Sequence, residues 1–219
     1  MAKLSARRIA LLLLLAAALP AHAGDPALIV SVPALGVRGE GLSGVVSYIL
    51  IQLDRVPSQD GPTVQFSEIN FGGGSRVGDE WKESMRRAAQ AVAHTVGDEG
   101  RTWLITIKSR SRTSITDGGS ASAAMAVGLM AAYYGDSILQ DVAISAQIMT
   151  DGRLDVVGGL PEKIEAAAAE RYRVIILPRD QARMPTWNAT TEAAARNQVQ
   201  LILASTLRDA YQAMTGKSR

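Results

Sequence analysis

Apolar and polar positions along this 219-residue chain change period from stretch to stretch, and each change marks an element. Trp81, Met85, Ala88, Ala89, Val92 and Val96 recur at helical spacing, which predicts an amphipathic helix over residues 79–96. His94 falls off that stripe and reads as a surface residue. Trp103, Ile105 and Ile107 then alternate with Leu104 and Thr106, the period of a strand over 101–108. Upstream, 27–37 is a β-rich run that Pro33 and Gly36 are expected to break. Residues 41–56 read as a longer strand ended by Pro57 and the Asp60-Gly61-Pro62 turn, and 63–70 as a third.

The second half alternates more regularly. A helix is expected from Ser120 to Gly135, apolar nearly all round and therefore buried. Strands over 144–150 and 153–157 flank Asp151-Gly152, a hairpin signal. An alanine-rich helix over 160–172 leads to an apolar strand at 174–178. A helical stretch around 190–197, a strand at 200–204 and a closing helix at 207–215 complete the chain. Such alternation predicts an α/β (α+β layered) domain of mixed sheets packed with helices.

Composition sharpens this picture at the N-terminus. Lys3, Arg7 and Arg8 precede an apolar run over 9–19, and Ala21-His22-Ala23 is a small-x-small site, so residues 1–23 read as a secretory signal peptide and 24–219 as the working domain. The expected location is periplasmic or secreted, after cleavage near Ala23. Without those three basic residues the balance of 23 basic and 21 acidic residues falls from +2 to −1, which argues against nucleic-acid binding. With no cysteine and two histidines, a disulfide framework and a zinc site of the usual kind are both excluded, and no metal or other cofactor is expected. The glycines at 72–74 lack the Gly-Lys-Ser/Thr ending of a phosphate loop, and no Walker motif occurs elsewhere.

The candidate chemistry lies at Thr116-Asp117-Gly118-Gly119-Ser120-Ala121-Ser122-Ala123-Ala124-Met125, a glycine-rich turn running into a helix-forming segment. Glycines let the backbone approach a substrate closely, and a helix start offers N–H groups to a developing oxyanion. A serine nucleophile needs a base. His22 lies in the leader and His94 on a distant helix, which leaves Lys163, in Val157-Gly158-Gly159-Leu160-Pro161-Glu162-Lys163, as the better candidate. A lysine serves as base only if burial lowers its pKa.

These segments resemble one family. Asp117-Gly118-Gly119-Ser120-Ala121 is similar to the Asp-Gly-Pro-Ser-Ala-Gly nucleophile motif of Lon-type proteases. Residues 141–148, Asp-Val-Ala-Ile-Ser-Ala-Gln-Ile, resemble that family's Asp-Val-Ala-Met-Thr-Gly-Glu-Ile strand, and 158–163 its Gly-Gly-Leu-Lys-Glu-Lys. The resemblance covers the proteolytic domain only, over about 27–215, and implies a Lon proteolytic-domain-like fold. It further implies a Ser120/Lys163 dyad, with Ser145 aiming the lysine and Gly118 and Gly119 shaping the turn. Asp117 and Asp141 take structural or orienting roles. Gly119 in place of proline is expected to loosen the turn, and Ser122 in place of glycine to crowd the cleft.

The expected function is therefore an ATP-independent serine endopeptidase acting on unfolded or flexible proteins, an exported domain without the ATPase module. Its partners are protein or peptide substrates, with a hexameric ring implied by the resemblance. A catalytically weak or inactive binding or assembly module in the periplasm is the alternative, and a Ser/Lys amidase or esterase a third reading.

Overall fold

Strand residues in this chain divide between two cores. In the computed structural model, which describes residues 28–39, 42–67, 76–110 and 115–219, Val30, Val32 and Ala34 of one strand face one apolar cluster while Leu35 faces another. The central strand pair is β1 (Leu28–Val37) and β2 (Gly44–Arg55), antiparallel in continuous register from Leu28↔Leu53 to Val37↔Gly44. Pro33 and Gly36 therefore do not break the first strand: the ladder to β2 carries the backbone past both positions, Pro33 opposite Tyr48 and Gly36 opposite Val45.

Around this pair the sheet extends both ways. On one side stand β5 (Trp103–Arg110), antiparallel to β2, and β3 (Thr63–Phe66), parallel to β5. On the other, β7 (Val142–Ile144), β10 (Val174–Pro178) and β11 (Gln200–Ala204) run parallel. The result is a seven-stranded mixed sheet in the order β11-β10-β7-β1-β2-β5-β3. Two short sheets flank it: β4 (Arg76–Val77) with β6 (Ile115–Thr116), and β8 (Gln147–Ile148) with β9 (Leu154–Asp155).

Helices cover both faces. α1 (Asp79–Val96), α2 (Ser122–Tyr134) and α5 (Leu207–Thr215) pack on the face of Val32 and Ile51, around buried Trp81, Met85, Trp103, Met125, Leu129 and Tyr211. α3 (Leu160–Ala169) and α4 (Trp187–Arg196) cover Leu35, Val46, Ala143 and Ile175 on the other. This is the α/β layered domain with mixed sheets that the alternation predicts.

Several boundaries move. The strand expected over 63–70 ends at Phe66; residues 68–70, like the glycine run at 72–74, the connection at 111–114 and the leader expected at 1–23, lie outside the described residues. Residues 141–148 form not one strand but two. β7 pairs within the main sheet, and after Ser145 and Ala146 the chain enters β8, which forms the Asp151-Gly152 hairpin with β9. The lysine helix stops at Ala169, and the turn after it holds Arg171 at φ 69° before β10. The helix after the candidate serine begins at Ser122, two residues later than expected, because a turn intervenes.

Candidate active site

That turn is built by its own hydrogen bonds. Gly118 holds φ 89°, a left-handed conformation that favours glycine. Asp117 Oδ1 accepts from the Gly118 N–H (2.9 Å) and from the Trp81 N–H (3.0 Å). Trp81 is the third residue of α1, whose N-cap residue, Gly78, has no side chain to offer. Asp117 thus caps α1 from a distance of 36 residues and ties the serine turn to it. A Cβ at Gly78 would stand 2.2 Å from the Asp117 carboxyl carbon, so glycine is required there.

Two expectations about this turn are corrected. Gly119 is not a loose point: it is buried, and a Cβ there would lie 2.6 Å from Gln147 Nε2, so the Gln147 side chain fills the space beside it. Nor does Ser122 crowd the cleft. It is fully buried and absent from the cleft lining, its hydroxyl donating to the Gly119 carbonyl (2.7 Å) and accepting from the Ile148 N–H (3.0 Å). Ser122 is the first residue of α2 and uses its hydroxyl to join the turn to β8, and Ser120 stands half-buried in the turn. The Gly118 N–H is committed to Asp117, and those of Ser122 and Ala123 to the Gly119 and Ala146 carbonyls. The N–H groups between, from Gly119 to Ala121, are the ones next to the serine.

Lys163 arrives from the opposite face of the sheet. Gly159 caps α3 at φ 65°, a Cβ there would lie 2.8 Å from Val37 Cγ1, and Pro161 sits in the first turn, where its missing N–H costs nothing. The helix presses against β2 so closely that a Cβ at Gly44 would stand 2.0 Å from the Glu162 carbonyl oxygen. Lys163 is 3% exposed, and its ammonium nitrogen donates to Ser145 Oγ at 3.2 Å. Ser145, itself fully buried just after β7, is fixed by its N–H to the Ile176 carbonyl (3.0 Å). Burial disfavours the charged amine and lowers the Lys163 pKa from 10.5 to about 8, against the smaller opposing pull of the Glu162 carboxylate.

Ser120 and Lys163 line the same cleft, of 640 Å³, with Gly118, Gly119, Gly158 and Gly159. Thr186 and Ala189, from the start of α4, and Val37, at the end of β1, also line it. Asp141 is not part of it. Its side chain is exposed where the chain enters β7, and its backbone carbonyl accepts from the Arg173 and Val174 N–H groups.

Sequence reasoning misses Gly44, Gly78, Ser122 and Gln147 as builders of this site. Each acts through a contact between segments remote in the chain, so no local pattern signals it.

The family model for the Lon protease (S16) C-terminal proteolytic domain matches residues 71–214, about two thirds of the chain. A peroxisomal Lon protease homolog 2 from Caenorhabditis briggsae is 30% identical over 101 residues, covering 46% of this chain and 13% of the relative. Lon protease 1 of Herpetosiphon aurantiacus is 31% identical over 116 residues, 50% of this chain and 14% of the relative. The Lon protease of Acinetobacter baumannii is 30% identical over 113 residues, 49% and 14%. The chain therefore matches about one seventh of the length of these relatives. By the span of the family match, which takes in the serine turn, the lysine helix and helices from both faces of the sheet, this chain belongs to the family of Lon protease C-terminal proteolytic domains.

Proposed function

We propose that this chain is an ATP-independent serine endopeptidase that hydrolyses peptide bonds in unfolded or flexible proteins. Ser120 attacks the scissile carbonyl. Neutral Lys163 takes the hydroxyl proton and returns it to the leaving amine, then activates the water that releases the acyl group from Ser120. Ser145 holds the amine in place, and the N–H groups from Gly119 to Ala121 receive the oxyanion.

The observation that carries this reading is the convergence of Ser120 and buried Lys163 on one cleft. A lysine with a pKa of about 8 is neutral in about a tenth of molecules at pH 7, enough to act as a base. Export rests on the basic and apolar pattern of residues 1–23 and the site at Ala21-His22-Ala23, and assembly into a ring on the family alone.

The test is cleavage of an unfolded fluorogenic protein by the purified chain without ATP, beside Ser120→Ala and Lys163→Ala. Both variants are expected to lose at least about a thousandfold in kcat while keeping the wild-type circular dichroism spectrum. A folded wild type that cleaves nothing supports instead the binding or assembly module.

A further inference from the structure

Five glycines line the cleft, and three have a reason inside the chain. Gly118 and Gly159 hold positive φ, of 89° and 65°. A Cβ at Gly119 would meet Gln147 at 2.6 Å, whereas one at Gly39 would meet only the end of the exposed Leu42 side chain, at 3.0 Å. Gly158 has neither restraint: its φ lies outside the left-handed region, and a Cβ there would find nothing within 4 Å. A glycine costs conformational entropy on folding, and one that the fold does not need, in the wall of a cleft, leaves room there for another backbone to approach.

The backbone supplies a second observation. Gly158 is exposed, and among the described residues nothing hydrogen-bonds to its N–H or its carbonyl. The residue before it is held on both sides. Gln181, 1% exposed, accepts from the Val157 N–H at 3.0 Å and donates to the Val157 carbonyl at 3.1 Å. Gly158 is therefore an open rung of backbone beside a fixed one, five residues before Lys163 in the wall of the cleft that holds Ser120.

We infer that Gly158 is a pairing station for the substrate main chain: an extended polypeptide hydrogen-bonds to its N–H and carbonyl and occupies the space a side chain would fill. Strand addition of this kind binds any sequence through its backbone and needs a segment already unfolded. Gly158 is a positioning residue that acts on the substrate, and Gln181 holds it through Val157. The inference rests on the proposed peptidase reading.

The test compares the full chain with Gly158→Ala and Gly158→Val on two reagents, a fluorogenic extended peptide and a small fluorophosphonate that labels Ser120. For Gly158→Val, kcat/KM on the peptide is expected to fall roughly tenfold or more, the loss of about two hydrogen bonds, carried in KM. Labelling of Ser120 stays within about twofold of wild type, since the small reagent needs no pairing. Gly158→Ala, whose added carbon meets open space, keeps the fold and shows the same split in smaller degree. Full peptide cleavage by Gly158→Val overturns the station, as does equal loss on both reagents. A wild-type chain that neither takes the label nor cleaves the peptide overturns the peptidase reading, and the station with it.

Discussion

The serine and the lysine reach one cleft from opposite faces of the sheet, and the two sides are held by different means. On the serine side, hydrogen bonds do the positioning: Asp117 to Gly118 and Trp81, and Ser122 to Gly119 and Ile148. On the lysine side, backbone is packed against backbone, Gly44 under the Glu162 carbonyl, and among the described residues the lysine side chain has one hydrogen bond, to Ser145. The serine helix also has a glycine contact with the sheet, but there a Cβ at Gly128 would meet the end of a side chain, Ile51 Cδ1, at 2.5 Å. A nucleophile needs direction, which hydrogen bonds give. A lysine base needs to lose its charge, which burial gives. Under the proposed mechanism, each side matches the property its residue needs.

The largest effect expected from breaking this arrangement is at Gly44. Gly44→Ala drives a carbon into a peptide carbonyl that cannot rotate away, and should destabilise by about 2 to 3 kcal/mol. It should also lower kcat/KM roughly tenfold or more by moving the lysine helix. Gly128→Ala, where Ile51 can turn and the helix gains propensity, should change stability by less than about 1 kcal/mol. Urea unfolding of the two variants measures the difference. Equal losses would mean that the two helices are seated alike.

Next in size is the cost of burying the lysine. The folded pKa of about 8 lies below the ordinary 10.5, so the charged amine is penalised in the folded state. That penalty is fully present below about pH 8 and fades as pH rises from 8 to 10.5. Lys163→Met should therefore be inactive yet more stable than wild type at pH 7, by about 1 to 3 kcal/mol, with the gain vanishing toward pH 10.5. In the wild type, kcat/KM should rise with pH to a plateau with a midpoint near 8. Thermal unfolding across pH and a pH–rate profile check both. A stability gain independent of pH would show that packing, not charge, explains it.

The smallest effect sharpens the serine side. Asp117→Ala removes the acceptor for two N–H groups and should cost about 1 kcal/mol, with a fall in activity as the turn loosens. Asp117→Asn keeps a side-chain oxygen and should lose about half of that. Chemical denaturation and peptide cleavage by the two variants test whether the cap fixes the turn.

Much of the fold is legible in the sequence because the patterns that specify it are local. The helix at 79–96 and the strands at 174–178 and 200–204 appear with the boundaries their periodicity gives. The serine turn and the lysine helix are legible as motifs in order. What is misread shares one cause. Pro33 looks like a breaker until β2 pairs along the whole of β1. Residues 141–148 look like one strand until the sheet takes the first half and the hairpin the second. Ser122 looks like an intrusion until Ile148 claims its hydroxyl.

The sequence by itself determined the layered α/β class, the turns and the residue types able to do acyl-transfer chemistry, because period, glycine and charge are properties of neighbours along the chain. Only the tertiary structure decided that Ser120 and Lys163 share a cleft, that the lysine is buried enough to lower its pKa, and that Asp141 stands outside. Burial and juxtaposition arise when distant segments pack, and no local pattern records them.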